Sequence, residues 1–204
     1  YDDSNDKYYP LTISSDALAL AATTVQGTIS GYASGGERPS PYIKENTIQK
    51  FSFTSDGNST DVGDLTVARD NSSGQSSSTH GYTTGGGASS TPLRNTIDKF
   101  PFASDGNATD VGDTLSTLLN SGGGNSSETH GYTAGGKGAP GANRIEKFPF
   151  SSDNNSTNVG NLTIGRYNVS GQTSTNHGYV SGGLAQSGAY KNTIDKLSLI
   201  HISE

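Results

Sequence analysis

The chain has 204 residues, with 13 Lys and Arg against 19 Asp and Glu, a formal net charge of −6, and no Cys, Met or Trp. An acidic balance excludes a nucleic-acid surface, which needs clustered cations to displace counterions. The absence of Cys removes disulfides, thiolate metal sites and Cys nucleophiles together, and no apolar run approaches the roughly 20 residues of a membrane-spanning helix.

Leu, Ile, Val and Phe make up about 17% of the chain, below the roughly 20% that accompanies disorder when net charge is high. Here the charge is modest, and the apolar residues are placed with a period. All six Phe (Phe51, Phe53, Phe100, Phe102, Phe148, Phe150) occupy one slot of successive repeats, so the expectation is a folded chain with a thin core shared between neighbouring units, these Phe buried in it.

In chain order, residues 1–21 read as a shortened copy, in which Asp6-Lys7-Tyr8 echoes Asp98-Lys99-Phe100. Full units follow at 22–69, 70–119 and 120–166. A partial fourth spans 167–197, and an off-pattern tail occupies 198–204. Ile48, Ile97, Ile145 and Ile194 mark the same phrase in each copy, and Gly31, Gly81, Gly131 and Gly178 mark a Gly-Tyr phrase that ends in a diglycine. A fixed period of about 49 residues signals an architecture of stacked supersecondary units, none able to bury its apolar face alone.

Within one unit, the run from Thr79 to the diglycine Gly85-Gly86 predicts a short strand ended by residues free to take positive φ. A variable loop follows. Asn95 to Phe102 predicts a second strand, rich in β-branched and aromatic residues. Phe100 and Phe102 fall on one face and Ile97 on the other, so this strand is expected to be covered on both sides. Ser104 to Asp110 is dense in turn formers, and Val111 to Leu119 predicts another strand. No segment carries sustained 3.6-residue periodicity, so almost no helix is expected.

Diglycine, an Asn-Thr-Ile-Asp-Lys-Phe strand, an Asp/Asn turn and a strand ending in Arg69 or Arg166: this order resembles the kelch repeat across residues 5–197. The resemblance implies an all-β fold of kelch-like β-propeller blades, about four of them, forming an open arc of a larger propeller. It departs from the family where Val62/Leu65, Val111/Leu115 and Val159/Leu162 stand in place of Trp, and where Leu118 or Leu119 replaces the Arg. The wording is similar to that of uncharacterised kelch-like reading frames of aquatic phages and marine metagenomes, which points to a virion or extracellular setting. The tail 198–204 resembles translated adapter read-through, with a divergent closing strand as the other reading.

Candidate chemistry is sparse. Asp56, Asp61 and Asp64 space oxygen ligands as calcium would; the third copy replaces most of them with amides, which favours a structural turn and no cofactor. His80, His130 and His177 are repeat-equivalent, and a structural hydrogen bond accounts for them. No pair of carboxylates is singled out for hydrolysis.

The variable loops 37–45, 87–94, 137–143 and 184–191 differ between copies while the strands agree. Such loops commonly form the binding surface of a repeat scaffold. Each carries a basic residue (Arg38 and Lys44, Arg94, Lys137, Lys191), and two carry Tyr (Tyr42, Tyr190). The reading is a non-catalytic binding or structural module that contacts a protein or glycan, with self-association through open blade faces. The alternative is a fragment of a propeller hydrolase or isomerase whose site lies outside this chain.

Overall fold

A computed structural model describes residues 29–87, 94–115, 122–137 and 142–199. The described residues are all-β, without helix, and arranged as small antiparallel sheets, none closed on itself. The partial copy 1–21, most of loops 87–94 and 137–143, Leu118 and Leu119, and the last five residues of the tail lie outside the described residues.

Sheet I joins β1 (Ser30–Glu37), β2 (Lys44–Ser52) and β3 (Thr60–Asp64). Sheet II adds a fourth strand in front: β4 (Ser73–Ser76), β5 (His80–Thr84), β6 (Thr96–Pro101) and β7 (Thr109–Asp113). Sheet III repeats that order with β8 (Gly123–Ser126), β9 (His130–Ala134), β10 (Arg144–Pro149) and β11 (Thr157–Asn161). A two-residue strand β12 (Arg166–Tyr167) precedes sheet IV, which consists of β13 (Ser170–Thr173), β14 (His177–Ser181) and β16 (Ile194–Ser198); β15 (Leu184–Ala185) pairs back with β12. Each sheet is therefore a meander in sequence order, and the variable loop joins its Gly-Tyr strand to its Phe strand.

Three apolar clusters join these sheets in succession. Ile48 and Leu65 of sheet I pack with Phe100 and Ala108 of sheet II. Ile97 and Tyr82 of sheet II pack with Phe148 of sheet III, and Ala134 and Leu162 of sheet III pack with Val180 and Leu197 of sheet IV. The Phe strand thus faces backward through Phe100 and forward through Ile97, the two-sided burial that its sequence predicts. A ring stack repeats at the first two steps: Tyr32 lies on Phe102 and Tyr82 on Phe150, both at 4.8 Å between centroids.

The expectation that all six Phe are buried needs correction. Phe100 and Phe148 are buried and Phe102 and Phe150 partly so, but Phe51 is 39% and Phe53 57% exposed. Each Phe is covered by the sheet that precedes its own, and among the described residues no sheet precedes sheet I. At the other end the pattern runs two residues past 197: Leu197 and Leu199, both buried, take the slots of Phe148 and Phe150. The amide of Leu199 donates to Asn176 O just as that of Phe150 donates to Thr129 O.

The glycine of the Gly-Tyr phrase has a steric cause. Gly81 pairs across the strands with Phe100, and Gly131 with Phe148, and each Phe ring lies where a Cβ of its partner glycine would sit. The diglycines end the same strand with both residues at positive φ, for example 79° and 119° at Gly135 and Gly136, a conformation that costs glycine little.

Candidate functional site

The variable loops leave their sheets at one common end, because every sheet repeats the same strand order. In the first, the exposed Arg38 forms an ion pair with Glu45 across the loop base. Tyr42 stands 72% exposed in the left-handed region, at φ 60°. Lys44 instead bridges Glu37 and Asp70, tying the loop to the β3–β4 connection. Burial alone would lower its pKa, but hydrogen bonds to the two carboxylates outweigh that and the net displacement is upward.

Arg94 closes its loop through a backbone hydrogen bond from its amide to Gly86 O at 3.0 Å. Lys137 places Nζ 5.3 Å from the centre of the Tyr167 ring, a cation–π geometry. Tyr190 projects into solvent at 88% exposure, while the amide of Lys191 donates to Gly183 O at 2.9 Å. Gln186 Nε2 donates to Gly136 O at 3.4 Å, so the loops of sheets III and IV meet. Arg38 and Tyr42 project from one loop; Lys137, Tyr190 and Lys191 belong to two loops in contact.

Of the carboxylates considered for calcium, Asp61 serves the backbone, as its equivalent Asp110 does in the next copy. Asp61 Oδ1 accepts from the Gly63 amide at 3.2 Å and Asp110 Oδ1 from Gly112 at 3.1 Å; in the third copy Asn158 Oδ1 does the same for Gly160 at 3.2 Å. An amide oxygen suffices, which explains why Asp and Asn interchange there. The Asp64 amide donates to Asn107 Oδ1 of the next sheet at 3.0 Å. Among the described residues no three His, Asp or Glu converge as a metal site would require. His80 and His130 each place Nδ1 2.8 Å from the hydroxyl of the preceding Thr.

Sequence reasoning missed two constellations. The first is a buried ion-pair ladder: Arg69 reaches Asp98 of the next sheet at 2.6 Å, and Arg166 reaches Asp195 at 3.1 Å. Its signal was present, since both pairs are 29 residues apart. Glu146 holds the equivalent place in sheet III and accepts from the Leu115 amide at 2.9 Å and Ser156 Oγ at 2.8 Å.

The second is a cleft of about 820 Å³ beside the first strands of sheets II, III and IV. Those strands run side by side: the Ser76 amide donates to Ser126 Oγ at 2.9 Å, and the Ser126 amide to Thr173 Oγ1 at 3.3 Å. Their middle positions hold the amides Gln75, Asn125 and Gln172, all lining the cleft, and sheet I closes its other side with Tyr32 and Phe53. Polar residues on short Gly/Ser-rich strands read as loop in the sequence, so nothing singled them out.

These observations define an all-β repeat protein with two open surfaces, a loop rim and a polar-aromatic cleft. Compared with models of known protein families and with curated proteins, the chain matches none.

Proposed function

We propose that this chain is a non-catalytic recognition module, an arc of kelch-like propeller blades that presents its variable loops to a carboxylate-bearing protein or glycan, in the manner of a virion or cell-surface adhesion component. One observation carries the reading: the loops diverge between copies at one common end of near-identical sheets, where exposed Tyr42 and Tyr190 accompany Arg38, Lys137 and Lys191. Sheets that repeat maintain the scaffold, and divergence at one end is what ligand contact selects. Exposed Tyr with adjacent cations is the composition of adaptable binding loops. The kelch-like propeller arrangement rests on meanders packed in succession, each offset from the last by one repeat. Self-association belongs to the same reading, since Phe51 and Phe53 of sheet I are exposed and no sheet precedes it among the described residues.

The test is an array of uronate- and sialate-bearing glycans with polyglutamate as the acidic polypeptide. A triple variant, Tyr42→Ala/Lys137→Ala/Tyr190→Ala, keeps the far-ultraviolet spectrum of the parent and loses the bound probe. Retention of no carboxylate-bearing probe by the parent, or equal binding by the variant, overturns the reading.

A further inference from the structure

We infer that copies of this chain dock head to tail, sheet IV of one copy seating on sheet I of the next. This names the interface for the self-association already proposed and rests on that reading. The junctions inside the chain supply the pattern. Each joins a forward half, made of an Ile, a Tyr and a Lys, to a backward half, made of two Phe and an Asp. Ile48 and Ile97, both 0% exposed, pack with Phe100 and Phe148 of the following sheets. Tyr32 stacks on Phe102, and Tyr82 on Phe150. Lys50 Nζ lies 3.3 Å from Asp105 Oδ1, and Lys99 Nζ 3.0 Å from Asp153 Oδ1.

Among the described residues one half of each kind is left over. Sheet IV presents Ile194, 68% exposed, with half-buried Tyr179 and exposed Lys196. Sheet I presents Phe53, 57% exposed, with Phe51 and the exposed Asp56. Neither Lys196 nor Asp56 has an ion-pair partner among the described residues. The two halves do not meet within one chain, since Ile194 and Phe53 both stand in solvent. A second copy joins them in the arrangement of the internal junctions, with Ile194 on Phe51, Tyr179 on Phe53 and Lys196 beside Asp56. The apolar contacts supply the attraction. An exposed ion pair adds little affinity, but it sets direction: sheet I against sheet I would put Asp56 on both sides of the contact, and sheet IV against sheet IV would put Lys196 on both. Gln49 removes an obstacle. Its counterparts Asp98 and Asp195 accept the backbone amides of Thr66 and Thr163 from the preceding unit, at 2.9 and 3.2 Å. Gln49 Oε1 instead accepts from Ser59 Oγ of its own unit at 3.0 Å, so a neighbour on sheet I need bring no such amide. A contact between unlike faces is heterologous and adds copies in a ring or a file.

Complementation between two full-length variants provides the test, read by light scattering and sedimentation velocity. Ile194→Asp spoils only the forward half and Phe53→Asp only the backward half. Both positions are exposed, and far-ultraviolet spectra and melts matching the parent establish that each variant folds. Each alone associates roughly tenfold or more weakly than the parent. Mixed in equal amounts they recover a two-copy species and go no further, because each supplies the half that the other lacks. Lys196→Asp and Asp56→Lys each weaken association, and the two together in one chain restore it. A monomeric parent overturns the inference, the result expected if residues outside those described already cover either face. An associating parent whose Ile194→Asp variant associates undiminished keeps self-association but overturns the head-to-tail contact, as does a mixture that stays monomeric. The rim reading, tested with acidic probes, stands or falls independently.

Discussion

Arg69 and Asp98 lie on successive sheets, both fully buried, with Nη2 and Oδ2 2.6 Å apart. Burial pulls the Arg69 guanidinium down from its ordinary range and the Asp98 charge opposes that. Asp98 also accepts from the Thr66 amide at 2.9 Å and the Thr66 hydroxyl at 2.7 Å, so its carboxylate fastens the end of sheet I to the middle of sheet II. Removing one member of a buried pair strands the other, at about 3–5 kcal/mol, whereas apolar replacement of both is often near neutral. Asp98→Leu is therefore expected to lower chemical-denaturation stability by that amount, and Arg69→Met/Asp98→Leu to recover much of it. Equal losses in both variants would show that the charges are not what is stranded.

The aromatic slots should differ by position. Phe148 is 2% exposed between sheets II and III, and Phe51 is 39% exposed on sheet I, which no described sheet precedes. Phe148→Ala is expected to cost about 3–5 kcal/mol, and Phe51→Ala well under half of that. Similar midpoints for the two variants in urea melts would contradict the packing described.

A methyl group at Gly131 enters the ring of Phe148 directly across the strand pair. Gly131→Ala is expected to cost about 1–3 kcal/mol as overpacking. Phe148→Leu should rescue part of that loss, since sheet IV already pairs Gly178 with Leu197. A double-mutant cycle reads the coupling; strict additivity would show that ring and glycine do not meet. Gly135→Val fails for another reason, because φ is 79° and a Cβ would stand 2.6 Å from Arg166 O; it should destabilise by a further route that no Phe148 substitution repairs.

His80 gives a pH signature. Burial first, and then Lys99, push its pKa below the ordinary value near 6.5, against the pull of Asp153. The unfolded chain then binds the proton more readily than the folded one. The stabilisation is fully present above about pH 6.5 and is lost as pH falls through that value toward the lower folded one. His80→Gln should flatten this part of the Tm-against-pH curve relative to the parent; parallel curves would show that His80 does not sense folding.

Exposed Phe51 and Phe53 on sheet I, where among the described residues β1 pairs only with β2, favour association. Light scattering should give a mass that rises with concentration, and Phe51→Ser should lower it. A concentration-independent monomer mass would contradict this.

Much of the scaffold was legible in the residues. Period-2 placement of Phe100 and Phe102 against Ile97 foretold a strand covered on both faces, and the diglycines foretold positive φ, because each reports a local backbone requirement. The Asp/Asn turns foretold their own role through the indifference of the third copy to charge. The loop residues were legible only as a class: Lys44 turned out to be tied into ion pairs while Tyr190 stands free in solvent, a distinction that depends on which carboxylates the fold brings alongside.

By itself the sequence determined the repeat, the all-β character and the apolar slots that join one sheet to the next, since these follow from spacing and side-chain type. Only tertiary structure decided that Phe51 and Phe53 are uncovered, that Arg69 meets Asp98, and that Gln75, Asn125 and Gln172 line one cleft. Those facts depend on which sheet lies beside which, and burial is a property of neighbours rather than of the residue that is buried.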